Sequence, residues 1–382
     1  MNKDFKLTDL EKVGPTTEKK LNNAGIYTPF DIVVRGIKEF SRVSGLSMEM
    51  AEKHMDAIKK HLAESGDVIE VNNIETLQLL RKKQIKTKLK VEELDEMFKG
   101  GIETQSLYEI YGSEGSGKTQ MSITLAAEAL HNDLGVMVID CEGTFDLERF
   151  QEIYSSRGYG EYSTKKLGYH LYGDSAELIT GVRNMVEELI EKDVRYIIID
   201  GLVGLMRLGY EGRGELYDRQ NELEVVLKYL RNLALLLNVG VIITNQVVSN
   251  PDPFGAKEKA IGGHVLGHYV KYIISITKGL KNNRVAHLIK SPNSPQGDYV
   301  FYLNEEGVSS YESLSAKKKA VKIDDIAKDN TKGLIKKDLL LETETFIRGE
   351  VTLDDSLMEE IEESITLSND EPVKKSSKIK VF

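Results

Sequence analysis

Short apolar runs alternate with longer helical patterns along the middle of the chain. The apolar runs are 107–111, 136–139, 196–199 and 241–244, each of a length that suits a strand buried on both faces. Helical patterns cover 118–131, 175–192 and 215–237. Because strands alternate with helices, we expect a mostly parallel sheet that is covered by helices on both faces.

The pattern changes after residue 265. Three strand-like runs, 270–277, 284–290 and 298–303, follow one another with only short turns between them. They predict an antiparallel extension of the parallel sheet.

Two segments near the N-terminus place a glycine between helical patterns. They are 13–21, which contains Gly14, and 43–51, which contains Gly45. Backbone N–H groups at such a turn can face a DNA phosphate, so we predict a small all-α domain of helix-hairpin-helix type. The alternative is a module that only packs, because residues 1–70 carry 11 basic and 12 acidic side chains.

Charge and composition divide the rest of the chain. Residues 81–90 carry six basic and no acidic side chains just before the core pattern begins, so we interpret 71–90 as a basic linker. We assign 91–307 to the core and 308–382 to a charged, partly disordered tail. Within the tail, 354–364 is patterned as one acidic amphipathic helix, which would be solvated or would dock on a basic surface.

Length, charge and cysteine content narrow the class of protein. A chain of 382 residues calls for two or three domains of about 100–200 residues each. Its net charge of −10 argues against a uniformly basic, histone-like nucleic-acid binder. A single cysteine, Cys141, excludes an intramolecular disulfide and a cysteine-rich zinc site. No apolar run approaches the roughly 18 residues of a membrane span, so we expect no membrane partner.

A phosphate-binding motif stands between the first predicted strand and the helix that follows it. The motif G-x-x-x-x-G-K-[ST] reads Gly112, Ser113, Glu114, Gly115, Ser116, Gly117, Lys118, Thr119. Its backbone N–H groups can cradle a phosphate, Lys118 can neutralise the β- and γ-phosphate oxygens, and the Thr119 hydroxyl can ligate Mg²⁺. We count Gln120 with the nucleotide-binding residues. The sequence therefore predicts ATP and Mg²⁺ as ligands, the alternative being a glycine-rich turn that binds nothing.

Carboxylates follow two of the predicted strands. Asp200 ends one strand and fits the acid that holds Mg²⁺ through water. Asp140 and Glu142 follow another strand, and one of them should polarise the attacking water. The alternative for Asp200 is that it merely starts the next turn, and the alternative for Asp140 or Glu142 is capping of a helix.

Together these motifs resemble the RecA-like strand-exchange recombinases, most closely the archaeal RadA type, over about residues 8–307. The resemblance implies an α/β fold with a RecA-like P-loop ATPase core and an antiparallel extension, preceded by a helix-hairpin-helix domain. It implies that Glu142, in the run Asp140-Cys141-Glu142-Gly143-Thr144-Phe145, is the general base, with Lys118 as the second catalytic residue. It also implies that Arg149 stacks on adenine, which a guanidinium plane does well.

Two segments look like the DNA-binding loops of that family. Residues 207–220 combine arginines, a tyrosine and glycines that can grip phosphates and stack on a base, although nearby acids leave a solvated loop as the alternative. Residues 247–264 resemble the loop that lies along single-stranded DNA, where glycines let the backbone approach closely. The predicted DNA-binding residues are Arg207, Tyr210, Arg213, Arg219, Lys257, Lys259, Gly262 and Gly263.

The same resemblance implies a γ-phosphate sensor. Gln246, just before the second loop, matches the family's reporter of the γ-phosphate, and an amide can donate to a phosphate oxygen or turn away. His264 is expected either to touch the γ-phosphate of a neighbouring nucleotide or to be structural.

The chain departs from the family pattern at three places. The family has a Phe-x-x-Ala plug that docks on the next subunit, and the nearest matches are 71–74 and 74–77, from which we assign Ile74 and Leu77 to polymerisation. Gly201 stands where the family often has Ser. Lys290 stands where many relatives have an acid, and we hypothesise that it replaces a monovalent cation and reaches the neighbouring ATP.

The resemblance implies a DNA-dependent ATPase that forms filaments on single-stranded DNA and exchanges strands with homologous double-stranded DNA. Its partners would be both forms of DNA and further copies of itself, in a filament or a ring. The expected location is cytoplasmic and nucleoid-associated, or nuclear in a eukaryote. The alternatives are a mediator or paralogue that regulates another recombinase, and a RecA-core helicase motor.

The net charge of −10 is not spread evenly along the chain. Residues 253–297 hold seven basic side chains and one acidic one, so we expect a basic strip that contacts DNA.

Overall fold

The computed structural model describes residues 6–64, 73–208, 216–249, 258–262 and 264–310. The predicted helix at 354–364 and most of the predicted tail lie outside these residues, and so do Tyr210, Arg213, Lys257 and Gly263. No helix within the described ranges is both long and apolar enough to cross a membrane.

Helices make up the N-terminal part. A 3-10 turn, Leu7–Asp9, precedes four helices, which are α1 (Pro15–Asn23), α2 (Pro29–Arg35), α3 (Ile37–Ser44) and α4 (Met48–Glu64). α3 ends at Gly45, whose φ of 76° is left-handed and suits glycine, so the second predicted hairpin is confirmed. Gly14 stands before α1, but the element that precedes it is the 3-10 turn rather than a full helix.

The remaining elements alternate as the apolar pattern predicts, with a second 3-10 turn at Thr164–Lys166. In chain order they are α5 (Ile74–Lys82), β1 (Lys86–Thr87), α6 (Glu92–Met97), β2 (Ile102–Glu103), β3 (Ser106–Gly112), α7 (Lys118–His131), β4 (Gly135–Asp140), α8 (Leu147–Ser156), β5 (Leu167–Leu171), α9 (Ser175–Asn184), α10 (Val186–Glu191), β6 (Val194–Asp200), α11 (Leu202–Leu208), α12 (Leu216–Leu236), β7 (Gly240–Asn245), β8 (Val247–Ser249), β9 (Glu258–Ala260), α13 (His264–Tyr269), β10 (Tyr272–Lys278), β11 (Asn283–Lys290), β12 (Gly297–Asn304) and β13 (Gly307–Ser309).

Three elements differ from the sequence-based expectation. The predicted helix 175–192 is two helices, α9 and α10, that meet at Met185. The predicted linker contains a helix, α5. The last strand, β13, lies across the predicted boundary between 307 and 308.

Within the described residues, nine strands form one sheet in the order β13-β12-β11-β10-β3-β7-β6-β4-β5. Neighbouring strands from β10 to β5 are parallel, while β11, β12 and β13 add on in antiparallel fashion. The α/β fold with an antiparallel extension is thus confirmed. β10 belongs to both parts, because it pairs in parallel with β3 and antiparallel with β11.

Apolar clusters cover both faces of the sheet. One cluster contains side chains of α6, α7 and α8, including Phe98 and Phe150. The other joins α9, α11 and α12 to the N-terminal helices, so that Phe30 and Leu230 belong to one core. The buried guanidinium of Arg35 reinforces this contact, because it donates to Gly25 O (2.8 Å) and to Asn184 Oδ1 (3.1 Å).

A buried ion pair fixes the strand that ends the described core. The Glu128 carboxylate on α7 has a fully buried side chain and accepts from Arg157 and from the Tyr159 hydroxyl. Arg157 also donates to Leu89 O (3.0 Å), before the core, and to Val308 O (2.7 Å) in β13. One pair of charges therefore holds both ends of the core against α7.

We predict that Glu128→Ala lowers the free energy of unfolding by about 3 kcal/mol or more, because it leaves Arg157 buried without its counter-charge. The control is Glu191→Ala at the exposed end of α10, which should stay within about 0.5 kcal/mol of the wild type. Urea unfolding followed by circular dichroism measures both variants. Equal losses in the two variants would contradict the role of the pair.

Candidate functional site

Four neighbouring strands end at one edge of the sheet and bring the predicted site residues together. β3, β7, β6 and β4 are parallel, and their last residues are level, since Tyr111 pairs with Asn245 and Asp140 pairs with Asp200. The carboxyl ends of parallel strands are where such folds bind ligands. The phosphate loop, Asp200, Glu142 and Gln246 all lie at these strand ends.

The phosphate loop turns from β3 into α7, whose first residue is Lys118. Gly115 and Gly117 have φ values of +66° and +107°, which side chains rarely adopt. The Lys118 ammonium donates to Gly112 O (3.0 Å) and Ser113 O (3.1 Å), and burial lowers its pKa. The Ser116 hydroxyl is buried without a partner among the described residues. A half-buried cation and a buried hydroxyl without a partner among the described residues fit a loop that is built to take a phosphate.

Asp200 connects three elements of the site. Its buried carboxylate accepts hydrogen bonds from the hydroxyls of Thr119 (3.0 Å), Thr144 (2.9 Å) and Thr244. Thr119 is the predicted Mg²⁺ ligand of the phosphate loop. The pair of a hydroxyl and a carboxylate supplies the oxygen ligands that Mg²⁺ prefers, and it fits a water-mediated role for Asp200.

Asp140 and Glu142, the two acids at the end of β4, have different surroundings in the structure. Both oxygens of Asp140 are used inside the fold, where they accept from the backbone N–H groups of Gly143 (2.7 Å) and Phe145 (2.9 Å), among others. Asp140 is fully buried and therefore shapes the turn. Glu142 projects from that turn and is exposed, which leaves it as the acid that can reach a water molecule.

Glu142 forms a direct hydrogen bond with Gln246, the predicted γ-phosphate sensor. Gln246 Nε2 donates to Glu142 Oε1 at 2.8 Å. Although the residue is exposed, partial desolvation of its carboxyl group and the nearby charge of Asp200 raise the pKa of Glu142. The carboxylate lies over Gly201, whose φ is +84° and whose added Cβ would come within 2.3 Å of Glu142 Cγ. The departure from the family pattern at Gly201 thus has a physical reason, since a serine would displace Glu142.

Arg149 lies on α8 beside the end of the phosphate loop. Its Nε donates to Gln120 Oε1 (2.9 Å), and its other nitrogens bond to Glu152 and to Asn304 O. The guanidinium plane is thereby held next to the predicted nucleotide residue Gln120. Stacking on adenine stays a prediction.

The structure describes part of the predicted DNA-binding residues. Arg207 is exposed at the end of α11, Lys259 is exposed on β9, and Arg219 is half-buried on α12. Gly262 has a φ of +94°, and an added Cβ would lie 2.9 Å from Val203. The glycine is therefore required by its own turn and by packing on α11, which is a different reason from close approach to DNA.

Two basic residues of the expected strip, Lys271 and Lys278, lie at opposite ends of β10. Lys271 precedes β10 and is paired with Glu103, while Lys278 ends the same strand beside Gly115 of the phosphate loop. The two ammonium-bearing residues are separated by the length of a strand, roughly 20 Å. The two lysines are close in sequence, but β10 places them at opposite ends of the strand.

The ammonium group of Lys290 forms hydrogen bonds to backbone carbonyl oxygens of its own chain. It donates to Gly267 O and Val270 O, each at 2.8 Å, at the end of α13. His264 is the first residue of that helix.

Two buried polar residues beside the site had no role in the sequence-based prediction. Glu109 lies inside β3 and accepts from Asn245, which precedes Gln246. The acidic residue Glu109 inside the apolar run 107–111 could have drawn attention to this pair in the sequence, because a buried acid needs a hydrogen-bond partner.

The phosphate loop between β3 and α7, with an aspartate at a neighbouring strand end and an antiparallel extension of the sheet, defines a RecA-like P-loop nucleotide-binding protein. The family model described as Rad51 matches residues 80–311, and the model described as a SAM-like helix-hairpin-helix tandem matches residues 5–60. The chain belongs to the Rad51 family.

Curated relatives agree with this assignment. The chain is 36% identical over 320 residues to the DNA repair and recombination protein RadA of Cenarchaeum symbiosum (strain A), covering 81% of this chain and 80% of the relative. It is 33% identical over 310 residues to the RadA protein of Aeropyrum pernix, covering 79% and 96%. It is 32% identical over 323 residues to that of Methanococcus maripaludis, covering 79% and 98%.

We predict that Gly201→Ala is more destabilising than Gly143→Ala. Both glycines have positive φ, so each alanine adds backbone strain of about 1 kcal/mol. Only the Cβ at 201 would also displace Glu142 and break its hydrogen bond to Gln246, which adds about 0.5–1 kcal/mol. Chemical denaturation measures both changes, and losses of equal size would mean that Glu142 does not pack on Gly201.

Proposed function

We propose that this protein is an ATP-dependent DNA recombinase that assembles on single-stranded DNA, pairs it with homologous duplex and exchanges strands in recombinational repair. The observation that carries the proposal is the hydrogen bond between Glu142 and Gln246. Glu142 lies at the nucleotide edge of the sheet, and Gln246 starts the segment that we assign to DNA. The proposed nucleotide site and the proposed DNA-binding segment are therefore joined by the hydrogen bond between Glu142 and Gln246.

In this proposal the residues of the sheet edge hydrolyse ATP to ADP and phosphate. Lys118 and the loop N–H groups hold the phosphates, while Thr119 and Asp200 hold Mg²⁺, which neutralises phosphate charge when bound. Glu142 accepts the proton of the attacking water. The Gln246 amide donates to Glu142 in this structure, which weakens that base, and turning the amide away frees it.

We propose a division into a helix-hairpin-helix domain (1–70), a basic linker with the polymerisation segment (71–90), the ATPase core (91–307, which β13 extends to Ser309) and the remainder of the tail predicted at 308–382. α5 supports self-assembly, because none of its residues is buried in the described chain. Ile74 is 61% exposed and Leu79 is 52% exposed, while Leu77 is partly covered. An amphipathic helix with an uncovered apolar face can gain stability by docking on a second copy.

DNA binding would rest on phosphate contacts rather than on reading of bases. Arg207 and Lys259 are exposed within the described parts of the two segments that resemble DNA-binding loops. Side chains of this kind track a backbone without sequence preference and make binding salt-dependent.

We predict that the protein forms helical filaments on single-stranded DNA with a non-hydrolysable ATP analogue, and displacement loops with homologous duplex. Glu142→Gln should keep filament formation and slow ATP hydrolysis by about 10²–10⁴-fold, because only the proton acceptor is lost. Lys118→Ala should lose nucleotide binding and filaments together. Electron microscopy, an ATPase assay and a displacement-loop assay measure these effects. Short rings or monomers without loop product would favour a mediator that regulates another recombinase, and nucleotide-driven fork unwinding would favour a helicase.

We further propose that Lys290 acts as a built-in cation towards the neighbouring ATP. Its ammonium lies on two carbonyl oxygens, which are ligands that a monovalent metal ion would also take. ATP turnover by the wild type should therefore respond little to K⁺, and Lys290→Asp should gain a clear K⁺ stimulation. Lys281→Asp, in the exposed turn between β10 and β11, is the control with the same charge change. K⁺ stimulation of the wild type as strong as that of Lys290→Asp would refute the proposal.

A further inference from the structure

A buried acid occupies the middle of the central strand β3. Glu109 is 4% exposed and lies between Ile243 of β7 and Ile273 of β10 in the sheet register. Burial raises its pKa to about 7, even though the charge of Lys290 acts in the opposite direction. A carboxylate at such a place costs folding free energy, so its presence calls for a partner that needs it.

The partner is the side chain of Asn245, which is 1% exposed. Asn245 Nδ2 donates to Glu109 Oε1 (2.9 Å) and to Ile261 O (2.6 Å), and Asn245 Oδ1 accepts from the Gln246 N–H (2.9 Å). Both donor positions and the acceptor of the amide are therefore in use. Any rotation of the amide would break at least one of these bonds.

These bonds close the base of the second segment that resembles a DNA-binding loop. The segment leaves the sheet through β8 and returns through β9, where Val247 pairs with Ala260. At its base the Ile261 N–H donates to Gln246 O (3.0 Å), and Asn245 reaches across to Ile261 O. The Asn245 amide thus joins the two ends of the segment beside these backbone bonds, and that amide is itself bonded to Glu109.

The same amide adjoins the residue that faces the nucleotide site. Gln246 follows Asn245 in the chain, and its own side chain bonds to Glu142. The peptide group between Asn245 and Gln246 therefore lies next to an amide that Glu109 holds from a strand with a neighbour on each side. If Gln246 and this peptide group shift together towards a bound phosphate, the bond from Asn245 to Ile261 O, where the loop returns, would have to change.

We propose that Glu109 is a positioning residue which, by holding the Asn245 amide, couples the position of Gln246 to the return of the second loop at Ile261. This inference rests on the proposed function, since it takes ATP and single-stranded DNA as the two ligands. The bond between Glu109 and Asn245 makes the affinity for ATP and the affinity for single-stranded DNA depend on each other, and such coupling is reciprocal.

The test compares DNA affinity in two nucleotide states. Fluorescence anisotropy with a labelled oligothymidine gives the dissociation constant with a non-hydrolysable ATP analogue and with ADP. In the wild type the ratio of these constants should fall in the range of about 5–150-fold that allosteric coupling usually spans. Glu109→Met and Asn245→Ala should both bring the ratio below about 3-fold, while the affinity for a fluorescent ATP analogue changes by less than about 2-fold.

Two further variants separate coupling from simple damage. Glu109→Gln keeps an oxygen that accepts from Asn245 and removes a buried charge, so it should fold and keep the wild-type ratio. Glu109→Met combined with Asn245→Ala should show the same ratio as either single variant, because both remove one contact. Thermal melts of all variants show which of them fold.

The outcomes distinguish the inference from the function on which it rests. A wild type that binds no single-stranded DNA in either nucleotide state overturns the proposed function. A wild type with a clear ratio, together with an Asn245→Ala variant that keeps this ratio, overturns the inference alone. A Glu109→Gln variant that loses the ratio as fully as Asn245→Ala also overturns it, because the accepting oxygen is then not what matters.

Discussion

The site depends on one buried carboxylate that three threonines share. Asp200 accepts from Thr119 at the start of α7, from Thr144 in the turn after β4 and from Thr244 near the end of β7. The three threonines belong to the elements that we assign to phosphate binding, base catalysis and sensing. Because all three hydroxyls converge on the same acid, these elements keep a fixed separation before any ligand binds.

That arrangement leaves Glu142, the general base of the proposed function, as a movable side chain on a rigid frame. Asp140 uses both of its oxygens to hold the turn, so the turn itself cannot shift freely, whereas Glu142 is held by Gln246 and by its contact with Gly201. The side chains expected to move therefore lie at the exposed rim, and the residues that support them are buried. This separation between moving and supporting residues suits the ATP-dependent switching that we propose.

Much of the fold could be predicted from the sequence, because strand and helix periods are local properties. α7 begins and ends where the helical pattern does, and the phosphate loop is recognisable from its glycines, lysine and threonine. The break at Met185 was not predictable in this way, since the pattern of α9 continues into α10. The positions of the basic side chains in 253–297 were not predictable for a related reason: residues close in sequence, such as Lys271 and Lys278, lie at opposite ends of β10.

The sequence by itself determined the α/β class, the phosphate loop and the acids at the strand ends, because each depends on spacing along a few consecutive residues. Only the tertiary structure decided which acid was free. Asp140 and Glu142 are two residues apart and chemically alike, and they differ only in what surrounds them after folding. Likewise Glu109 and Asn245 become partners because β3 and β7 pair in register across 136 residues of chain, and no local pattern encodes that contact.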